Sequence, residues 1–192
     1  MKLLRSLFIL ISASFLLSSC GYNGMVEKRE GVDQAWSQVQ NVYQRRADLI
    51  PNLVNTVKGA AEFEKSTLTE VINARAKATS IQLNANDLTP EKLKEFEAAQ
   101  SQLSGALSRL MVSVERYPDL KANANFQNLQ GQLEGTENRI SVERGKFNTS
   151  VQDYNTFIQR FPNNLSAGMF GFSKKAYFAA EASSQKAPTV TF

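Results

Sequence analysis

Histidine is absent from this 192-residue chain, and cysteine occurs once, at Cys20. Without imidazole, neither a Ser-His-Asp nor a Cys-His nucleophilic constellation can be assembled. The Glu-x-x-His pairs of a carboxylate-bridged dimetal site, the familiar catalytic use of a helical bundle, are excluded for the same reason. A single thiol cannot close an internal disulfide. No glycine-rich phosphate loop follows a strand pattern, and no calcium-type loop of oxygen ligands around a glycine turn is present. Glu27/Glu30 and Glu134/Glu137 have the three-residue spacing of paired carboxylates, which reads as solvated or ion-paired helix faces. No cofactor or metal is expected, and the chain does not read as an enzyme. Runs of basic residues are also missing. The formal net charge is +4, which falls to +2 once Lys2 and Arg5 are set aside, with both signs interspersed. That distribution argues against nucleic acid as a partner.

Only ten glycines and five prolines punctuate the sequence, and the apolar fraction of 42% is that of a folded domain. Residues 1 to 20 read MKLLRSLFILISASFLLSSC: two cations, then an almost wholly apolar stretch from Leu7 to Leu17. That stretch is short of the roughly 20 apolar residues a spanning helix needs, and the pattern is that of a secretory signal. Leu17-Ser18-Ser19-Cys20 resembles the bacterial lipobox, where a leucine and two small residues precede the cysteine that receives diacylglycerol. Cleavage before Cys20 and acylation of the residue are therefore expected. Two or three acyl chains (palmitate among them) give durable anchoring, whereas one binds marginally. The chain is thus expected in the cell envelope, outside the cytoplasm. Gly21, rather than an aspartate, follows the cysteine, which points to the periplasmic side of the outer membrane if the source is Gram-negative.

Beyond Cys20 the apolar positions recur at three- and four-residue intervals, as on one face of a helix. Val32, Trp36, Val39, Tyr43, Ile50, Val54, Val57 and Ala61 form one such seam, in phase across Pro51, so a single long helix bent at the proline is expected. A second helix begins near Glu64 with Leu68, Val71, Ala78 and Ile81. Thr89 is a candidate N-cap with Pro90 at the first helical position and Glu91 in the first turn. The third helix carries Leu93, Phe96, Leu103, Leu107, Leu110, Val114 and Tyr117 up to Pro118. The fourth carries Phe126, Leu129, Leu133, Ile140, Phe147, Val151, Tyr154 and Ile158 up to "FPNN". No strand pattern or fixed repeat emerges. The expected fold is all-α, an antiparallel four-helix bundle with long first and last helices. Its expected divisions are a signal at 1–19, a bundle at 20–165 and an aromatic-rich tail at 166–192. Phe170, Phe172, Tyr177 and Phe178 of that tail either pack on the bundle or face a partner or lipid headgroups beside Lys174 and Lys175.

Charges fall on the apolar seams themselves. Glu137 and Arg144 interrupt the fourth helix where the period calls for core residues. Arg46 or Ala47 occupies the corresponding place on the first helix, with Arg45 and Asp48 alongside, and Glu115 lies near the end of the third. Buried charges are costly unless paired. Arg46, Asp48, Glu115, Glu137 and Arg144 therefore form a candidate polar seam, either an interhelical network that sets register or a site for a small anion or peptide.

The stretches "YNGMVEKREGVDQAW", "QRRADLIPNLVNTVKGAA", "VINARAKA" and "VERYPDLKANANFQNLQGQLEGTENRISVERGKFNTSVQDYN", with a terminal "GF...YF", resemble the LemA family of bacterial envelope proteins. The resemblance runs from about Tyr22 to Phe178. The matching positions are Tyr22, Asn23, Trp36, Arg45, Arg46, Asp48, Pro51, Asn52, Glu115, Tyr117, Pro118, Glu137, Arg139, Arg144 and Asn155. It implies an antiparallel helical bundle outside the cytoplasmic membrane and brings no catalytic role with it. Family members often carry one N-terminal membrane helix, so the lipobox here is a departure. The expected role is a lipid-anchored scaffold or modulator of another envelope component. The alternatives are a ligand- or peptide-binding bundle and, less favoured, an enzyme of cell-wall material.

Overall fold

The structure is a computed structural model that describes residues 2–59 and 64–179, with side chains from Gly21 onward apart from Asn86. The expected cleavage after Ser19 and the lipid on Cys20 concern side chains outside those described, as does the tail beyond residue 179. Among the described residues the regular structure is wholly helical. It comprises α1 (Lys2–Lys58), α2 (Lys65–Ser80), α3 (Pro90–Val114), α4 (Pro118–Lys121), α5 (Ala124–Gln159) and α6 (Asn163–Ala167), with a 3-10 turn at Ala85–Asp87. Six α-helices thus stand where four were expected. Pro118 does not simply stop α3: it sits in the first turn of α4, where its fixed φ and missing N–H cost little. "FPNN" likewise leads into another helix, α6, through a cis Phe161–Pro162 bond.

Two of the long helices face each other in opposite directions. Going up α1, Gly24 meets Phe157, Trp36 meets Phe147 at 5.5 Å and Arg46 meets Glu137, so α5 runs the other way. Helices α2 and α3 are opposed in the same manner, with Glu70 on Arg109 and Lys77 on Gln102. The seam residues Val32, Trp36, Val39, Tyr43, Ile50, Val54 and Val57 are all buried. Thr89 caps α3 as expected, its hydroxyl accepting from the Lys92 N–H at 3.3 Å. Between α2 and α3, Leu83 and Leu88 are buried and the Leu83 carbonyl accepts from Trp36 Nε1 at 2.9 Å and Gln40 Nε2 at 3.0 Å. That connection is therefore fastened to α1 rather than loose.

At Gly24, α5 comes close to α1 because there is no side chain: a Cβ there would lie 2.5 Å from the Phe157 ring. At Pro51 the helix continues, at a definite local cost. Proline has no N–H to give to the carbonyl four residues back, which belongs to buried Ala47. Arg75 of α2 supplies the missing donor, Nε to the Ala47 oxygen at 2.7 Å. The defect in one helix thereby becomes a tie to the next.

A double-mutant cycle tests this tie. Arg75→Ala should lower unfolding free energy by about 1.5–3 kcal/mol, the range for a charged donor on a carbonyl. In a Pro51→Ala background, where residue 51 again donates within the helix, the same change should cost clearly less in urea melts. Equal costs in both backgrounds would refute the tie.

Candidate functional site

The polar seam resolves into separate places. At its centre is Arg46, whose side chain is 1% exposed. Nη1 donates to Glu137 Oε1 and to Ser104 Oγ, each at 2.7 Å, and Nη2 donates to the side-chain and main-chain oxygens of Gln100. The guanidinium also lies over the Tyr43 ring, 5.1 Å from its centroid, a favourable cation–π placement. Gln100 is held in turn by its Nε2, which donates to the Ala78 carbonyl at 3.2 Å. Side chains of α1, α3 and α5 and a carbonyl of α2 thus meet in one layer. Only Arg46 Nε lacks a partner there.

This layer divides the interior. On one side lies an apolar cluster with Trp36, Tyr43, Phe96, Ile140, Phe147 and Val151. On the other lies a cluster with Ile50, Leu53, Leu103, Leu107, Leu110 and Leu133. Burial of each large apolar side chain contributes roughly 1.5–3 kcal/mol, so the clusters supply the bulk of the stability and the layer supplies alignment. A one-turn slip would move Arg46 by about 5.4 Å, beyond reach of its acceptors. Glu137 is 42% exposed, so its carboxylate is half in water and the pair is not fully desolvated.

Beside the layer a cleft of about 200 Å³ opens between α1, α2 and the connection to α3, lined by Gln40, Tyr43, Gln44, Gln82, Phe96 and Gln100 among others. Its polar side chains are the glutamine amides, the Tyr43 phenol and the Thr79 hydroxyl, with no charged residue among them. Burial raises the Tyr43 pKa above its usual value, opposed by the nearby Arg144 and Arg46 charges. The hydroxyl therefore stays protonated and able both to donate and to accept. This arrangement suits a small neutral polar group, such as an amide or a hydroxyl, and offers no charge to an anion.

Arg144 belongs to a different structure. Its Nη2 donates to Glu97 Oε1 at 2.8 Å and to the Ala179 carbonyl at 3.1 Å, and its guanidinium lies 4.7 Å from the centroid of the Phe178 ring. Burial raises the Glu97 pKa, against the lowering effects of Arg144 and of the Ala179 N–H. Here the chain after α6 runs back along α5 as an extended strap. Asn155 exchanges two hydrogen bonds with the Lys175 backbone, both 2.9 Å, and Asn148 does the same for Phe178 at 3.1 and 2.9 Å. Tyr154 Oη donates to the Ser173 carbonyl at 2.9 Å. Lys175 Nζ reaches across to the Ala85 carbonyl at 2.6 Å and Asp33 at 3.3 Å. Phe172 and Phe178 are buried, Phe178 against Trp36 and Phe147, whereas Phe170 and Tyr177 are 51% and 47% exposed. Phe172 and Phe178 thus pack on the bundle, and Phe170 and Tyr177 remain on its surface.

The remaining candidates lie apart. Glu115 is 62% exposed and pairs with Lys121 at 2.5 Å beside α4. Asp48 accepts from its own-helix neighbour Gln44 at 2.8 Å on the surface. The residues missed in the sequence are Gln100, Ser104, Glu97 and Asn148. Gln100 was findable, since it falls between Phe96 and Leu103 on the α3 seam. Asn148 was not, because its partner is backbone and leaves no side-chain pattern. Among the described residues no group of His, Cys, Asp or Glu is placed to hold a metal ion, and no helix is long and apolar enough to cross a membrane.

These features define an all-helical framework organised around a buried arginine and strapped by its own C-terminal chain. The chain belongs to the LemA family, whose model matches residues 35–192. It is similar to magnetosome protein MamQ of Magnetospirillum gryphiswaldense, 27% identical over 174 residues that cover 82% of this chain and 64% of that one. It is also similar to protein LemA of Metamycoplasma hominis, 25% identical over 158 residues, covering 82% and 68% respectively. Magnetosome protein MamQ 2 of Paramagnetospirillum magneticum is 26% identical, with 82% and 64% covered. The chain thus spans just under two thirds of the length of the magnetosome relatives.

Arg46 substitutions separate charge from shape. Arg46→Ala should cost about 3–5 kcal/mol, since it strips partners from a buried polar layer. Arg46→Met restores most of the volume but still leaves Gln100, Ser104 and Glu137 without their donor, so it should recover only the packing share of that loss. Chemical denaturation of both variants measures the difference, and equal losses would mean that the lost polar contacts, not side-chain volume, carry the whole effect.

Proposed function

We propose that this LemA-family chain is a non-enzymatic, lipid-anchored antiparallel four-helix bundle, capped by two short helices, that scaffolds or modulates another component of the cell envelope. The observation that carries the reading is the use of the one fully buried cation among the described residues to align helices: Arg46 is spent on Glu137, Ser104 and Gln100. Charge committed to alignment favours a rigid presenter of surface over a reaction centre. The N-terminal segment, with its lipobox at Cys20, supports placement outside the cytoplasm on a membrane, on the periplasmic face of the outer membrane in a Gram-negative cell. Its similarity to magnetosome proteins is consistent with a membrane-associated setting. Crosslinking in intact cells, read with mass spectrometry of the mature N-terminus, tests the proposal. The expected result is a chain beginning at acylated Cys20 and one reproducibly captured envelope protein. An unmodified Cys20, or capture of abundant bystanders alone, would overturn it.

A second reading draws on the cleft of about 200 Å³ and its glutamines. In this reading the bundle binds a small neutral polar ligand or a peptide amide beside Tyr43 and Gln100. A ligand at 100 times its Kd adds roughly 2.7 kcal/mol to stability, which thermal melts against envelope metabolites detect. Gln100→Leu should abolish that shift, and a shift unchanged in Gln100→Leu would remove the cleft from consideration.

A further inference from the structure

The end of the bundle nearest the N-terminal segment carries an unusual surface. Helical turns continue on both sides of α6, with Asn164 N–H on the Arg160 carbonyl at 3.0 Å and Phe170 N–H on the Ser166 carbonyl at 3.1 Å. One side of this coil is packed: Ala167 is buried, and Asn163 stands where a Cβ on Gly21 would come within 2.7 Å of its Oδ1. The other side carries Phe161, Leu165 and Met169, each four residues from the next, at 80%, 65% and 83% exposure. Phe170 and Tyr22 adjoin α6 and meet edge to face, with ring centroids 5.1 Å apart. Five of the nine exposed large apolar residues among those described therefore gather at one end, whereas Ile72, Val112 and Val142 lie on other helices.

Three features bear on what covers this surface. It is held against Gly21, so it stands within a turn of residue 20, where the apolar N-terminal segment joins the bundle; at 1.5 Å per residue, that is a few ångströms along the axis. The stretch that contributes Phe161 to Phe170 carries charge of one sign: between Asp153 and Glu181 the sequence contains Arg160, Lys174 and Lys175, the last already paired with Asp33, and no acidic residue. Its side chains combine aromatic and long aliphatic groups with flanking cations, the composition that lies at the headgroup boundary of a bilayer.

We propose that the outward side of α6, with Tyr22 and Phe170, inserts into the headgroup–acyl boundary of the membrane that holds the N-terminal segment. Arg160 and Lys174 then face lipid phosphates. This gives the bundle a second contact, so that it stands on the bilayer in a set orientation instead of swinging from its anchor. It rests on the reading that the N-terminal segment is membrane-attached, but not on whether lipid or an uncleaved apolar helix makes the attachment.

The test uses the full chain reconstituted at low protein-to-lipid ratio in vesicles of phosphatidylethanolamine and phosphatidylglycerol. Met169→Trp and Val112→Trp variants are compared, each corrected for the parent chain containing buried Trp36. Flotation with the vesicles reports attachment. In floated protein the Met169→Trp emission should shift to the blue, lose intensity to brominated lipid and resist iodide. The Val112→Trp emission should stay red, ignore brominated lipid and be quenched by iodide. Protein that floats while both sites are equally open to iodide overturns the proposal and leaves attachment intact. A blue shift that grows with protein concentration and is insensitive to brominated lipid overturns it in favour of contact between copies. Failure to float overturns both the proposal and the attachment it rests on.

Discussion

Arg46 is the constraint on which the rest of the interior depends. A guanidinium 1% exposed must find acceptors on several sides, and it finds them on α3 and α5 at once. Those acceptors are reachable in one helix register only. The two apolar clusters on either side are built from interchangeable aliphatic surfaces that would tolerate a slip, but the layer between them would not. Glu137 keeps one edge in water, which moderates the desolvation cost of the pair.

The strap solves a related problem with a different chemistry. An extended chain beyond α6 has backbone donors and acceptors that no helix satisfies. Asn148 and Asn155, seven residues apart and so on one face of α5, answer that need with paired amide contacts. Phe178 then fills the space over Trp36 and Phe147, closing the apolar cluster that the helices leave open. Arg144 and Glu97 secure the far end. Framework and tail are thus a single packed unit as far as residue 179. The same route brings Phe170 against Tyr22 of α1, at the end of the bundle where the apolar N-terminal segment joins it.

Much of the framework was legible because helical periodicity is a local property. The buried face of α1, the Thr89 cap and the existence of α2, α3 and α5 follow from three- and four-residue spacings and from capping chemistry. Six helices appear instead of four because Pro118 and the residues after Pro162 begin short turns too brief to carry a periodic signal. The candidate seam was legible only in part. Arg46 and Glu137 do meet, but Arg46 is buried in α1 while Glu137 stands at the half-exposed edge of α5 and Thr136 takes the buried place; Arg144, Glu115 and Asp48 each lie elsewhere with another partner. Spacing along one helix says that a residue faces inward; it does not say which residue of another helix stands opposite.

By itself the sequence determined the all-helical class, the inward faces, the absence of imidazole chemistry, the apolar N-terminal segment and the family. Each depends on residue type or short-range order, which the chain carries without folding. Only the tertiary structure decided that Pro51 binds α1 to α2 through Arg75, that Arg46 takes Gln100 and Ser104 with Glu137, and that the tail lies along Asn148 and Asn155. These contacts join residues 28 to 91 positions apart or depend on backbone atoms that every residue shares. Their identity emerges only when packing has brought the partners within the 3 Å or so over which a hydrogen bond acts.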